Sequence, residues 1–224
     1  MDKDGRRAQN IVAMSDYQPD TGYAAIAQVV AYWNAIRKGH GVPNRSDVDP
    51  RGIEQALENA FILERVTVGM ARLRVAGSHL NALMGNETRG MPITAFFVPA
   101  VRRVVAGMLE EVFQRPAQGS FSLNAGGGPF LPPLEGRMVL LPLRSDLGDV
   151  SRILGCFVTR GEIGDTPRRF EIASQSVTPI HAANGDVPVP VFLDPAPGFA
   201  ESATALTGAK PRRVPYLRLV DTDD

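Results

Sequence analysis

The feature that most constrains the fold is a long amphipathic helix bounded by prolines. Pro99 is suited to its first turn, and the pair Arg115-Pro116 ends it. Between them, the apolar residues follow the spacing i, i+3, i+4, i+7, i+8, i+11, at Val101, Val104, Val105, Met108, Leu109 and Val112. A helix with one apolar stripe must bury that stripe against another layer. The chain must therefore supply a second layer of structure.

Segments with strand character lie on both sides of this helix. Residues 61–68 and 72–75 are β-branched or alternating around Gly69, which predicts a β-hairpin. After the helix, alternation and apolar runs predict strands over 120–125, 137–143 and 151–160. Pro142 indicates that the middle one ends, bulges or lies near an edge at that point. We therefore predict an α+β fold in which a five-stranded antiparallel sheet has helices packed on one face.

Two regions flank this predicted core. Residues 22–38 predict an N-terminal amphipathic helix, because apolar residues recur there at helical spacing. At the other end, 7 of the 18 prolines lie in the last 50 residues, which predicts an extended or partly disordered Pro-rich C-terminal extension. The predicted organisation is an N-terminal segment over 1–44, a domain over 45–174 and a tail over 175–224.

The charge balance bears on partners and location. Lys and Arg number 24 and so do Asp and Glu, so the chain lacks the cationic surplus that drives binding to nucleic acid. The longest apolar stretch, around residues 96–112, is interrupted by arginines and glutamates, so no transmembrane helix is predicted. The start of the chain does not build the apolar run of a secretory signal. We therefore expect a soluble, cytoplasmic protein without nucleic-acid or membrane partners.

The order of these elements over residues 47–160 resembles a PAS domain. Two motifs are similar to a family of small bacterial PAS-domain proteins: Arg45-x-Asp47-x-Asp49-Pro50, and Arg72-x-Arg74-x-Ala76-Gly77-x-x-Leu80-x-x-Leu83-x-Gly85-x-Glu87-x-Arg89-Gly90. Trp33, Pro43 and the run Leu140-Leu141-Pro142-Leu143-Arg144 resemble that family too. The resemblance implies that Gly77 ends a strand, that Gly85 and Gly90 have positive φ, and that the protein is a sensor or adaptor in signal transduction. Arg74 and Asp49 either pair across the fold or stay as separate solvated charges.

The resemblance suggests two functional surfaces. One is a cavity between the sheet and the helices, which would bind a small apolar ligand. Its side chains either line that cavity or simply fill the core; they are Leu80, Leu83, Phe96, Phe97, Val101, Val105, Leu109, Phe121, Leu123, Leu140 and Phe157. The other is the N-terminal helix, which either forms a homodimer interface or packs on its own sheet. The candidate interface residues are Val29, Val30, Trp33 and Ile36.

The sequence contains no recognisable motif for a metal site, a cofactor site or a catalytic site. The three histidines, His40, His79 and His181, are far apart, and the single cysteine, Cys156, lies in an apolar strand, so we predict no metal site. The long helix has no histidine for haem, and residues 78–90 lack the cysteine of the flavin photoreceptor branch. We predict no cofactor and no catalytic residue. The favoured function is a non-enzymatic sensor or adaptor that binds a regulatory protein; the alternatives are an enzyme with scattered catalytic residues and a ligand-independent structural partner.

Overall fold

The structure, a computed structural model, describes residues 21–37, 41–127 and 131–180. In chain order, the helices and strands are α1 (Ala24–Ile36), β1 (Ala60–Thr67), β2 (Met70–Ala76), α2 (Ser78–Met84), α3 (Arg102–Gln114), β3 (Ala117–Ala125), β4 (Leu134–Arg144), β5 (Val150–Arg160) and β6 (Glu171–Pro179). Short 3₁₀ segments connect them, including Pro50–Ala56 before β1 and Ile93–Phe96 before α3. The predicted tail lies outside the described residues from position 181 onward.

The strands form one antiparallel sheet in the order β2-β1-β5-β4-β3-β6. This confirms the α+β prediction, the β1–β2 hairpin and the three strands that follow the long helix. The sheet has six strands rather than five, because β6 pairs with β3 at the sheet edge. The predicted domain boundary at residue 174 falls inside that strand.

Helices cover both faces of the sheet, whereas we predicted helices on one face. On one face, α2 and α3 pack against side chains of β1, β3, β4 and β5, and we call this the inner face. On the opposite face, α1 and the segment Pro50–Ala56 cover alternate residues of β1, β4 and β5, and we call this the outer face. Because successive strand residues point to opposite faces, each central strand supplies both cores.

The long helix α3 follows the predicted boundaries closely. It begins after the Pro99–Val101 turn, and its backbone leaves helical geometry at Arg115. Four of the six stripe residues are buried against the inner face, whereas Val101 is half-buried and Val104 is exposed. Phe113, which the predicted stripe did not include, is buried as well, so the buried stripe lies closer to the C-terminal end of the helix than the sequence pattern indicates.

Two local predictions from the sequence are confirmed. Gly85 and Gly90 adopt positive φ angles of 73° and 83°, which glycine reaches without steric cost. Pro142 pairs with Ile153 of β5, but β3 makes its last pair with β4 at Leu140. The strand is therefore locally at an edge where the proline lacks its N–H, as expected for a proline within a sheet.

Candidate functional site

The predicted cavity residues lie together on the inner face. Ten of the eleven are buried in one core cluster, and Val101 packs against it. The structure places them as neighbours in this cluster, together with other buried side chains such as Met138 and Phe170. Four surface pockets described in this structure are lined by other residues. A ligand at this position stays a prediction, and it would have to displace packed side chains.

Aromatic rings fill the centre of this cluster. The Phe157 ring meets Phe96, Phe170 and His79 edge-on, with centroid distances of 6.1, 5.0 and 6.4 Å. Edge-to-face contacts of this kind add to the burial of each ring. Phe170 was missed from the sequence because it follows the last predicted strand. The sequence does place Phe170 two positions before Ile172, the spacing of side chains on one face of a strand. This spacing becomes informative only once β6 is recognised.

The predicted dimer interface is wrong for Val29 and Trp33. Both side chains are fully buried within the chain, on the outer face of its own sheet. The Trp33 indole Nε1 donates a hydrogen bond to the carbonyl oxygen of Pro142 at 3.0 Å. These two residues therefore cannot face a second copy in this fold. Val30 and Ile36 are half-buried, so an interface on the remaining surface of α1 stays a prediction.

Two titratable groups, His79 and Cys156, are held inside the domain. The His79 ring nitrogen Nε2 lies 3.1 Å from the Thr159 hydroxyl, and burial lowers the pKa of this imidazole, while the nearby Glu58 carboxylate acts in the opposite direction. Cys156 is fully buried on the outer face, and burial raises the pKa of its thiol to about 12. The thiol is therefore protonated at neutral pH and inert as a nucleophile.

We expect the Cys156 thiol to react with iodoacetamide at pH 8 about a thousandfold more slowly in the folded chain than in the unfolded chain, because the thiolate fraction falls with the raised pKa. Mass spectrometry of samples quenched over time, with and without guanidinium chloride, measures both rates. The variant Cys156→Ser controls for labelling at other groups. Similar rates in the two conditions would show that the strand opens readily.

A second cluster of polar groups lies on the outer face, where α1 does not reach. The Glu64 carboxylate forms ion pairs with Arg74 from β2 and with Arg152 from β5. Partial burial acts to raise the pKa of Glu64, but the hydrogen bonds and charges of the two arginines outweigh it and hold that pKa below its ordinary value. The suggested pairing of Arg74 with Asp49 is wrong, because Asp49 instead caps the 3₁₀ segment by accepting a hydrogen bond from the Arg51 backbone N–H at 3.0 Å.

This cluster lines an open pocket of about 620 Å³, together with Arg45, Ser46 and Asp146. A smaller, mostly apolar pocket of about 140 Å³ adjoins it and shares Arg45, Ile62 and Val75. The sequence motif included Arg45 and Arg74, but their convergence with Glu64 and Arg152 was missed. These residues come from three strands and the 3₁₀ turn Arg45–Asp47, so no local pattern in the sequence groups them.

Two general features were also sought in the part of the chain that the structure describes. No three His, Cys, Asp or Glu side chains converge there in a way that would hold a metal ion. None of the helices in the same residues is long and apolar enough to cross a membrane.

Comparisons with known proteins identify one family. A family model described as a PAS domain matches residues 23–158, which includes α1, β1 to β4 and most of β5. No curated protein matches the chain. Among solved structures, the light-state structure of the blue-light photoreceptor Aureochrome1 LOV shares 15% identity and a TM-score of 0.37, covering 50% of this chain and 88% of that chain. A light-oxygen-voltage domain structure from work on a flavin analogue has the same identity and TM-score, covering 50% and 84%.

Proposed function

The chain belongs to the PAS domain family, and on that premise we propose that it is a non-enzymatic sensor or adaptor of signal transduction that acts by binding a regulatory protein. The family match over residues 23–158 carries this proposal, because PAS domains are sensory and signalling modules. The match spans more than half of the 224 residues, so the PAS domain accounts for most of the described structure. A cytoplasmic location and a homodimer stay predictions beside it.

The state of the titratable groups supports binding rather than catalysis. A nucleophilic cysteine needs a lowered pKa and access to solvent, whereas Cys156 is fully buried with a raised pKa. A general base needs to be within reach of a substrate, whereas the His79 ring is engaged with Thr159 and packs edge-on to Phe157. Both groups contribute to packing, which is the role expected in a domain that works through its surface.

The exposed apolar side chains favour one part of that surface. Of the eight large apolar side chains exposed in the described residues, five lie between positions 57 and 75, and they are Leu57, Val66, Val68, Met70 and Val75. The β1–β2 hairpin that carries most of them is held in place, because the Glu110 carboxylate accepts hydrogen bonds from Arg65 at 3.2 Å and from the Gly69 backbone N–H at 2.8 Å. Exposed apolar groups on a fixed support are typical of a protein-binding surface. We therefore place the partner on this hairpin surface.

Quantitative co-purification from the source cells tests the proposal. We expect one regulatory protein to be recovered in a fixed ratio with the tagged chain. When that partner carries the tag instead, the chain should be recovered with it. The double variant Val66→Ser/Val68→Ser should reduce the recovery about tenfold, because both side chains lie on the hairpin and one lost apolar anchor costs about 1 kcal/mol or more.

The matched control is Leu147→Ser, which changes a side chain that is 94% exposed but lies between β4 and β5. It should leave the recovery unchanged. Equal losses in the two variants would contradict the hairpin surface, and failure to recover any protein in a fixed ratio would contradict the adaptor function.

A further inference from the structure

The two adjoining pockets on the outer face form one continuous groove beside the β1–β2 hairpin. The smaller pocket, about 140 Å³, lies between the 3₁₀ segment Pro50–Ala56 and the edge strand β2. The larger one, about 620 Å³, opens to solvent next to it. Because Arg45, Ile62 and Val75 line both pockets, an extended ligand can occupy them together.

The smaller pocket is an apolar slot. Ile62 and Leu154 form part of its lining and belong to the buried outer-face core. Leu57 and Val75, which also line it, are 40% and 51% exposed. A side chain that entered the slot would remove these exposed apolar surfaces from water, at about 25 cal/mol for each Å² buried. The slot is small enough that a single aliphatic or aromatic side chain is the natural occupant.

The larger pocket is a cationic rim. Three arginines, Arg45, Arg74 and Arg152, and two carboxylates, Glu64 and Asp146, line it. Glu64 already pairs with Arg152 and with Arg74, to which it is hydrogen-bonded at Nε, and the two terminal nitrogens of the Arg74 guanidinium donate no hydrogen bond to a described residue. Arg45 forms no ion pair with any described residue. The rim therefore keeps donors for an additional anion, and arginine pairs with a carboxylate through two parallel hydrogen bonds.

We propose that this groove binds an extended segment of the partner protein in which an apolar side chain stands next to an acidic one. The apolar side chain enters the slot, and the carboxylate pairs with Arg45 and the outer nitrogens of Arg74. The larger pocket opens to solvent, which suits a polypeptide more than an enclosed small molecule. This inference rests on the proposed function, because it names the chemistry by which the hairpin surface recognises its partner.

Selection from a random heptapeptide display library, with the full chain as the target, tests the groove. We expect the enriched peptides to share Leu, Ile or Phe within two positions of Asp or Glu. A fluorescent copy of the best peptide should bind about tenfold more weakly to Arg45→Glu, because the change reverses a charge in the rim. Raising the salt concentration should also weaken binding, because salt screens the attraction between the peptide carboxylate and the arginines.

The matched control is Arg103→Glu, the same change of charge at an exposed position of α3, outside both pockets. Binding to this variant should equal that of the unmodified chain. Leu57→Ser should reduce binding through the slot alone, because Leu57 lines the smaller pocket and not the larger one. Circular dichroism confirms that each variant folds. No enrichment, enriched peptides without acidic residues, or equal binding by Arg45→Glu would each overturn the proposal. If a partner still co-purifies in those cases, the adaptor function stands and only the groove is wrong.

Discussion

Replacing Trp33 with alanine is expected to lower the free energy of unfolding by about 3–5 kcal/mol. The indole is fully buried between α1 and the outer face of the sheet, and its removal leaves a cavity that packed neighbours cannot close. The change also leaves the Pro142 carbonyl without the 3.0 Å hydrogen bond that the indole N–H donates. Equilibrium unfolding in urea, followed by circular dichroism, measures the loss.

The conservative variant Trp33→Phe separates the two contributions, because it keeps an aromatic ring but removes the N–H donor. We expect it to lose less stability than Trp33→Ala. Light scattering on both variants tests the earlier dimer prediction, since a side chain buried within its own chain should not change the mass of the folded protein. A halved mass without a loss of stability would show instead that Trp33 packs against a second copy.

The second large effect is expected from Phe157→Ala, which should lower the free energy of unfolding by about 3–5 kcal/mol. Phe157 is fully buried at the centre of the inner-face core, where it contacts the rings of Phe96, Phe170 and His79. Its removal empties a volume that is lined by aromatic and aliphatic groups. The same urea titration measures this change.

The Phe157→Ala cavity also tests whether the domain holds a ligand. An apolar cavity of this kind stays dry and binds small apolar molecules, so benzene should raise the melting temperature of Phe157→Ala. The unmodified chain should gain nothing, because the Phe157 ring itself occupies the place that the substitution empties. The variant Phe157→Leu, which leaves a smaller void, should show an intermediate loss and a weaker response. A benzene response in the unmodified chain would indicate a cavity that is already open, and would favour the apolar-ligand prediction.

Much of the inner-face core was predictable because it follows from local periodicity. The stripe of α3 and the alternation in β3 each identify a buried face without reference to any partner element. Ten of the eleven predicted cavity residues are accordingly buried in one cluster. Periodicity does not say whether such residues enclose a space or fill it, since that depends on how the rings fit together in three dimensions.

The sixth strand and the groove were not predictable in this way. The side chains of β6 are mostly exposed, and only Ile172 and Val177 of its nine residues are half-buried. The strand therefore lacks a clear alternating pattern of buried and exposed side chains. Its pairing with β3 is stabilised by backbone hydrogen bonds, which any sequence can form. The groove depends on Arg45, Glu64 and Arg152, which are up to 107 positions apart (152 minus 45). Glu64 and Arg152 meet because β1 pairs with β5, and the segment before Arg45 is held against β4 by the hydrogen bond from the Arg144 backbone N–H to the Pro43 carbonyl.

The N-terminal helix shows most clearly which features the sequence determines and which only the tertiary structure determines. The spacing of Val29 and Trp33 by itself determined that this stripe leaves water, because exposed apolar area is costly wherever it lies. The hydrophobic effect has no direction, so the spacing did not determine what covers the stripe. Only the tertiary structure decided that, because the outer face of the sheet presents apolar side chains at Val139, Leu141 and Leu154, together with the Pro142 carbonyl that the indole N–H reaches.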